Sequence, residues 1–163
     1  MGNKLVSGKE RGNSALLCAP LAVSSPVFAD NHLIPPQYTC DGVNINPALD
    51  IGGIPKEAQS LAIIVDDPDA PGGKWVHWLA WNIPVLRHIK EARPMEAEGL
   101  NDFHVHAYKG PCPSFGTHHY HFNIYALDAK LDLRQDCTET QLKAAMNGRI
   151  LGYGRVTGLY KRK

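Results

Sequence analysis

The residues best suited to chemistry fall in two stretches. Asp66 to Pro84 reads DDPDAPGGKWVHWLAWNIP, a Pro- and Gly-rich turn carrying Asp67 and Asp69 that leads into His77 among three tryptophans. Gly110 to Asp128 reads GPCPSFGTHHYHFNIYALD, a second Gly/Pro loop that runs into His118, His119, Tyr120 and His121. Imidazoles, a phenol and loop N–H groups are hydrogen-bond donors, and a Gly/Pro loop lets backbone amides approach an anion closely. Together they suit a phosphate or carboxylate group. Carboxylates beside such a pocket would repel a bare anion unless they hold the histidines, whose ordinary pKa of about 6.5 then rises. The acidic turn is thus expected to orient His77 and keep it partly protonated.

Strand parity sorts these side chains. In WVHWLAWNI, alternation groups Trp75, His77, Leu79 and Trp81 on one face and Val76, Trp78 and Ala80 on the other. In THHYHFNIY it groups His118 with Tyr120 and sends His119 and His121 to the opposite face. A β-bulge near Gly116 and Thr117 would invert the second grouping. Singly, His77 reads as a half-buried histidine and DPDAPGG as a turn, since Asp caps, Pro fixes φ and Gly allows positive φ. In combination the two stretches predict one small polar pocket at the end of a β-body.

The elements that must position them are short strands. Runs rich in β-branched and aromatic residues occur at 21–28, 60–66, 75–83, 117–127 and 155–161, with Pro and Gly between them and no internal repeat. One segment has helical spacing: Thr138 and Gln141 form a capping box, Leu142, Ala145 and Met146 share a face, and Gly148 follows. The expectation is a mostly β protein, two antiparallel sheets packed over one core, with one or two short helices and the C-terminal one near 139–147.

At 163 residues the chain fits one domain, and with 44% hydrophobic and 20% charged residues it has the composition of a folded globular protein. A formal net charge of +1 gives no basic field for nucleic acid. No apolar run reaches the roughly 20 residues of a transmembrane helix. Residues 1–20 read as a flexible N-terminal extension ahead of a domain at 21–163. The apolar patch there is broken by Pro20, and VFAD at 27–30 is a weak cleavage site, so the expected compartment is cytoplasmic, with the periplasm second. Cys40 in YTCDG and Cys112 in GPCPSFG both sit in Gly/Pro loops, so they could meet at one rim or remain separate thiols.

The segments YTCDGVNINPAL at 38–49, DDPDAP at 66–71, HWLAWNIP at 77–84, GPCPSFGTHHYHFNIYALD at 110–128 and GLYKR at 158–162 resemble the phosphatidylethanolamine-binding protein family. The similarity is greatest to its bacterial and archaeal branch, the Raf-kinase-inhibitor-like proteins. It runs in order from about Leu21 to the end. The resemblance implies a two-sheet β-sandwich and a pocket for phosphate, phosphorylethanolamine or a carboxylate, formed by Asp67, Asp69, Ala70, Pro71, Trp75, His77, Gly110, Pro111, His118 and Tyr120. It implies no cofactor, a regulatory rather than catalytic role, and a kinase or protease as protein partner; a second copy of the chain is another candidate. Five positions depart from the family pattern, Ser114 and Phe115 among them. His119 stands where many members have Arg, His104 where Gly is frequent, and Arg149 where His is frequent. Ser114 and Phe115 are expected to narrow the mouth.

Two enzyme readings compete. The H-x-H pairs His104/His106 and His119/His121 could each give two nitrogen ligands to a metal, although no Glu stands at a matching spacing. Cys112 could act as a nucleophile with His118 as base, although no GxSxG is present.

Overall fold

Strand β5 (Ser60–Asp67) is buried along its whole length, as its unbroken run SLAIIVDD requires of a strand covered on both faces. The computed structural model, which describes residues 18–163, builds outward from it. On one side β5 pairs antiparallel with β9 (His118–Leu127), on the other with β6 (Trp75–Ile83). The neighbour of β9 is β10 (Ile150–Tyr160). Three two-residue strands complete this seven-stranded sheet. They are β1 (Ala19–Pro20), β3 (His32–Leu33) and β8 (Ala97–Glu98). The first two lie parallel to β10, so the sheet is mixed at that edge. A second, three-stranded antiparallel sheet is made by β2 (Ala22–Ser24), β4 (Leu49–Gly52) and β7 (His88–Ile89) in the order β2-β4-β7. Of the leading stretch 1–20, residues 1–17 lie outside the described residues, while Ala19 and Pro20 pair with Gly152 and Tyr153.

The architecture is mostly β with two sheets, and helix α1 (Glu139–Met146) lies where its pattern predicts. Its capping box forms through the Thr138 N–H, which donates to Gln141 Oε1 at 2.9 Å. The core is divided in two, unlike the single core expected. Leu61, Ile63, Val65, Phe122 and Ile124 face the small sheet and meet Leu49, Ile51 and Ile89. Ala62, Ile64, Leu79 and Leu127 face the other way and meet Leu131, Leu142 and Met146. The large sheet is therefore the middle of three layers, and the amphipathic helix covers its outer face.

Two sequence expectations moved for physical reasons. The apolar run 21–28 is a strand only at Ala22–Ser24, because Pro26 has no N–H for a ladder. β10 begins at Ile150 and is longer than the predicted 155–161. Its glycines hide the pattern: a Cβ at Gly158 would collide with Ile34 and Phe28, which cross the strand there.

Candidate functional site

The acidic turn and the start of β9 meet at one end of the large sheet. The side chain of Asp67 closes a local turn by accepting the Asp69 N–H at 2.8 Å through Oδ1. Its Oδ2 accepts His118 Nδ1–H at 2.7 Å. Both partners are buried. Two residues on, Asp69 Oδ2 accepts the His119 backbone N–H at 2.8 Å and its Nδ1–H at 2.7 Å, with both side chains exposed. These donors, the backbone N–H foremost, hold the Asp69 carboxyl below its usual range. Alternation in β9 is regular through its pairing with β5 from Asp66↔His121 to Ser60↔Leu127. His118 and Tyr120 therefore face inward, and His119 and His121 outward, where His121 Nδ1 lies 3.4 Å from Asp66 Oδ1.

The other strand breaks its alternation. Between the pairs Asp66↔Val76 and Val65↔Trp78, β5 advances one residue and β6 advances two, so His77 is the extra residue of a β-bulge. Parity is reset behind it. Trp75 and His77 face the pocket, but Trp78 and Ala80 then join the core under the small sheet, and Leu79 and Trp81 join Val76 on the helix side. The expected face shared by Trp75, His77, Leu79 and Trp81 is thus divided at the bulge.

The structure also corrects what holds His77. No carboxylate hydrogen-bonds its ring; Nδ1 lies 2.6 Å from the Lys109 carbonyl oxygen. A carbonyl only accepts, so Nδ1 carries the proton. Burial pushes the His77 pKa below its ordinary value and outweighs the opposing pull of that carbonyl, Asp67, the Gly110 backbone and Asp102. Burial therefore favours the neutral ring over the partly protonated one that the sequence suggested. The Lys109 N–H donates in turn to the His77 carbonyl at 3.2 Å, which is also held by the irregular segment after β8. There Asn101, 2% exposed, donates to the His77 and Ala107 carbonyls at 3.0 and 2.8 Å. Its Oδ1 accepts the Phe103 and Val105 N–H groups at 3.0 and 3.2 Å. His104 in this loop has φ 59°, the left-handed region where the family pattern has Gly.

A cleft of about 230 Å³ opens between these groups, lined by Asp67, Ala70, Pro71, Trp75, His77, His118 and Tyr120 together with Phe103, Cys112, Pro113 and Ser114. The ring of His77 meets those of Tyr120 and Phe103 edge-on at 5.3 and 5.1 Å. Tyr120 is fully buried, and among the described residues its hydroxyl finds no partner that meets hydrogen-bond geometry, although Asp67 and the Cys112 backbone stand close enough to act on it. Burial, with Asp67 beside it, pushes this phenol far above its usual pKa. It is a neutral hydroxyl among the groups that line the cleft.

Three residues expected in the ligand set do not line it. Asp69 turns outward to His119. Gly110 and Pro111 stand behind the loop: Gly110 N–H donates to Asn44 Oδ1 at 2.7 Å, and the Pro111 carbonyl accepts the Cys40 N–H at 3.1 Å. A Cβ at Gly110 would collide with the Tyr38 carbonyl and Asn44, so glycine there permits the close approach of two loops. Cys40 and Cys112 form a disulfide across 72 residues, fixing the loop that gives Cys112, Pro113 and Ser114 to the cleft. Phe115, expected at the mouth, is exposed outside the lining. Phe103 was not legible in sequence: it lies in an irregular segment and carries no chemistry that would single it out.

The family model of phosphatidylethanolamine-binding proteins matches residues 24–161. The UPF0098 protein of Pyrococcus abyssi is 48% identical over 150 residues, 85% of this chain and 84% of that one. That of Pyrococcus horikoshii is 49% identical over 154 residues, 88% of this chain and 77% of that one. The crystal structure of a phosphatidylethanolamine-binding protein homolog from Chlamydia trachomatis matches with a TM-score of 0.85 at 35% identity, covering 88% of this chain and 99% of that one. The E. coli protein YbcL, a member of the mammalian phosphatidylethanolamine-binding protein family, matches with a TM-score of 0.80 at 26% identity over the same shares.

Proposed function

The chain belongs to the phosphatidylethanolamine-binding protein family, and from that premise we propose that the cleft at the end of the large sheet binds a small anionic head group, phosphate or a phosphomonoester, without turning it over. The observation that carries this reading is the Tyr120 hydroxyl, a buried group that lines the cleft and has no partner in hydrogen-bond geometry among the described residues. A buried polar group left unsatisfied costs about 1–3 kcal/mol, which a ligand oxygen accepting from it would recover. His118, oriented by Asp67, stands beside it with Nε2 free of protein hydrogen bonds.

Binding rather than catalysis is the reading favoured by the fate of the nucleophile candidate. Cys112 is held in a disulfide and supplies no thiolate. For the metal-enzyme alternative, His119 and His121 direct Nδ1 to Asp69 and Asp66, and among the described residues no group of three or more His, Cys, Asp or Glu side chains is placed to hold a metal ion. On the proposed reading the role is regulatory, with a protein partner such as a kinase or protease meeting the rim around Trp75, Phe103 and Phe115. These side chains are 39%, 38% and 76% exposed, an apolar border around a polar site.

Calorimetric titration with inorganic phosphate tests the proposal. Wild type is expected to bind, and Tyr120→Phe to bind about tenfold more weakly while melting no lower, since the change removes an unpaired buried hydroxyl. Equal affinity in the two proteins would contradict the assignment.

A further inference from the structure

The hydrogen-bonding character of the cleft specifies more than charge. Tyr120 contributes a neutral hydroxyl whose O–H has no acceptor in bonding geometry among the described residues and is open to a ligand oxygen. His77 contributes the reverse. Its Nδ1–H is committed to the Lys109 carbonyl, so with the ring neutral the remaining nitrogen, Nε2, is an acceptor, and among the described residues no protein donor is hydrogen-bonded to it. His118 is tied at Nδ1 to Asp67. Among the described residues no Lys or Arg side chain lines the cleft, and Asp67 does. The site therefore offers the Tyr120 O–H, an acceptor at His77 Nε2, the Nε2 of His118 and little positive charge.

We propose, building on the anion-pocket reading above, that the cleft selects an anionic head that retains one acidic O–H, the monoanion of phosphate or of a phosphomonoester, over an anion that has none, such as sulfate. The acid O–H donates to His77 Nε2, and another ligand oxygen accepts from the Tyr120 hydroxyl. A sulfate oxygen in the same place would set two lone pairs against each other and leave Nε2 unpaired. A site built around a specific hydrogen bond rejects an analogue lacking it far more strongly than shape alone can. Charge acts in the same direction, because Asp67 and, farther out, Asp102 repel a dianion more than a monoanion. The charged and titratable groups facing His77 are these two carboxylates, with His118 and Tyr120 from β9.

The test is calorimetry on the intact protein with methyl phosphate and with sulfate. At about pH 6, near the second ionisation of a phosphomonoester, methyl phosphate is expected to bind at least about tenfold more tightly than sulfate. At about pH 8, where the free ligand is mostly the dianion, binding should take up close to one proton per methyl phosphate, read from two buffers of different ionisation heat. A histidine taking up that proton would do so for sulfate as well, so uptake with both ligands overturns the proposal. Equal affinity for the two ligands overturns it while leaving the anion pocket standing; no binding of either removes both. His77→Gln supplies a side chain that can turn either a donor or an acceptor to the ligand, and is expected to narrow the gap between the ligands. A folded His77→Gln protein that keeps the whole gap would overturn the assignment of Nε2. Should that variant not fold, the wild-type comparison decides alone.

Discussion

Two Asp–His pairs stand two residues apart in the same motif and have the same separation, yet they occupy different physical worlds. Asp67 and His118 lie 2.7 Å apart with side chains 4% and 8% exposed; Asp69 and His119 lie 2.7 Å apart with side chains 41% and 51% exposed. The alternation of β9 separates them, turning His118 into the cleft and His119 to the outer face. Distance alone assigns them equal weight. Solvent does not, because water screens the outer pair and the groups of the inner pair have no water to return to. The inner pair fixes the orientation of a ring in the cleft, and the outer one fastens the acidic turn to the strand end.

Removing one member of each pair breaks this comparison most forcefully. Asp67→Ala leaves buried His118 without its acceptor and also opens the turn at Asp69, so it is expected to lower stability by about 3 kcal/mol and to abolish phosphate binding. Urea unfolding and calorimetry check both effects. A loss no larger than that of an exposed pair would contradict the distinction.

The second test uses pH. Burial holds His77 neutral in the folded protein, whereas an unfolded histidine takes up a proton near pH 6.5. The folded state then binds fewer protons, so this stability is complete above about pH 6.5 and is lost as pH falls below it, by at most about 1.4 kcal/mol per pH unit for one proton. His121, whose pKa is lowered by burial and by Arg155, contributes in the same direction from the outer face. Comparing wild type with His77→Gln isolates the inner share: the variant should show the shallower slope. Identical slopes would show that His77 is not held neutral.

The smallest effect belongs to the outer pair. Asp69→Ala is expected to cost at most about 0.5 kcal/mol and to leave phosphate affinity unchanged, because Asp69 does not line the cleft. A tenfold loss of affinity would place the outer carboxylate in the ligand site.

How much of this could be read from sequence follows the regularity of the backbone. β9 alternates without interruption, so the inward turn of His118 and Tyr120 follows from counting. β6 does not, and nothing in WVHW marks the bulge, since neither Gly nor Pro stands there to announce it. The convergence of DPDAP with the GPCP loop was legible because turn residues and titratable side chains are concentrated in both. The hold on His77 was not, because it comes from the Lys109 carbonyl, a backbone group on which the identity of its residue has no bearing. Asn101 and Phe103 escaped for a related reason, lying in a segment with no periodicity to read. The second sheet was expected, but its strands β4 and β7 were not located, because four residues and two are too few to show a pattern.

The most direct measurement is an NMR titration of the imidazole resonances with inorganic phosphate. The account predicts that His77 and His118 shift on adding the anion while His119 and His121 stay in place. If His119 responds as strongly as His118, the two faces of β9 are not separated as described and the central claim fails.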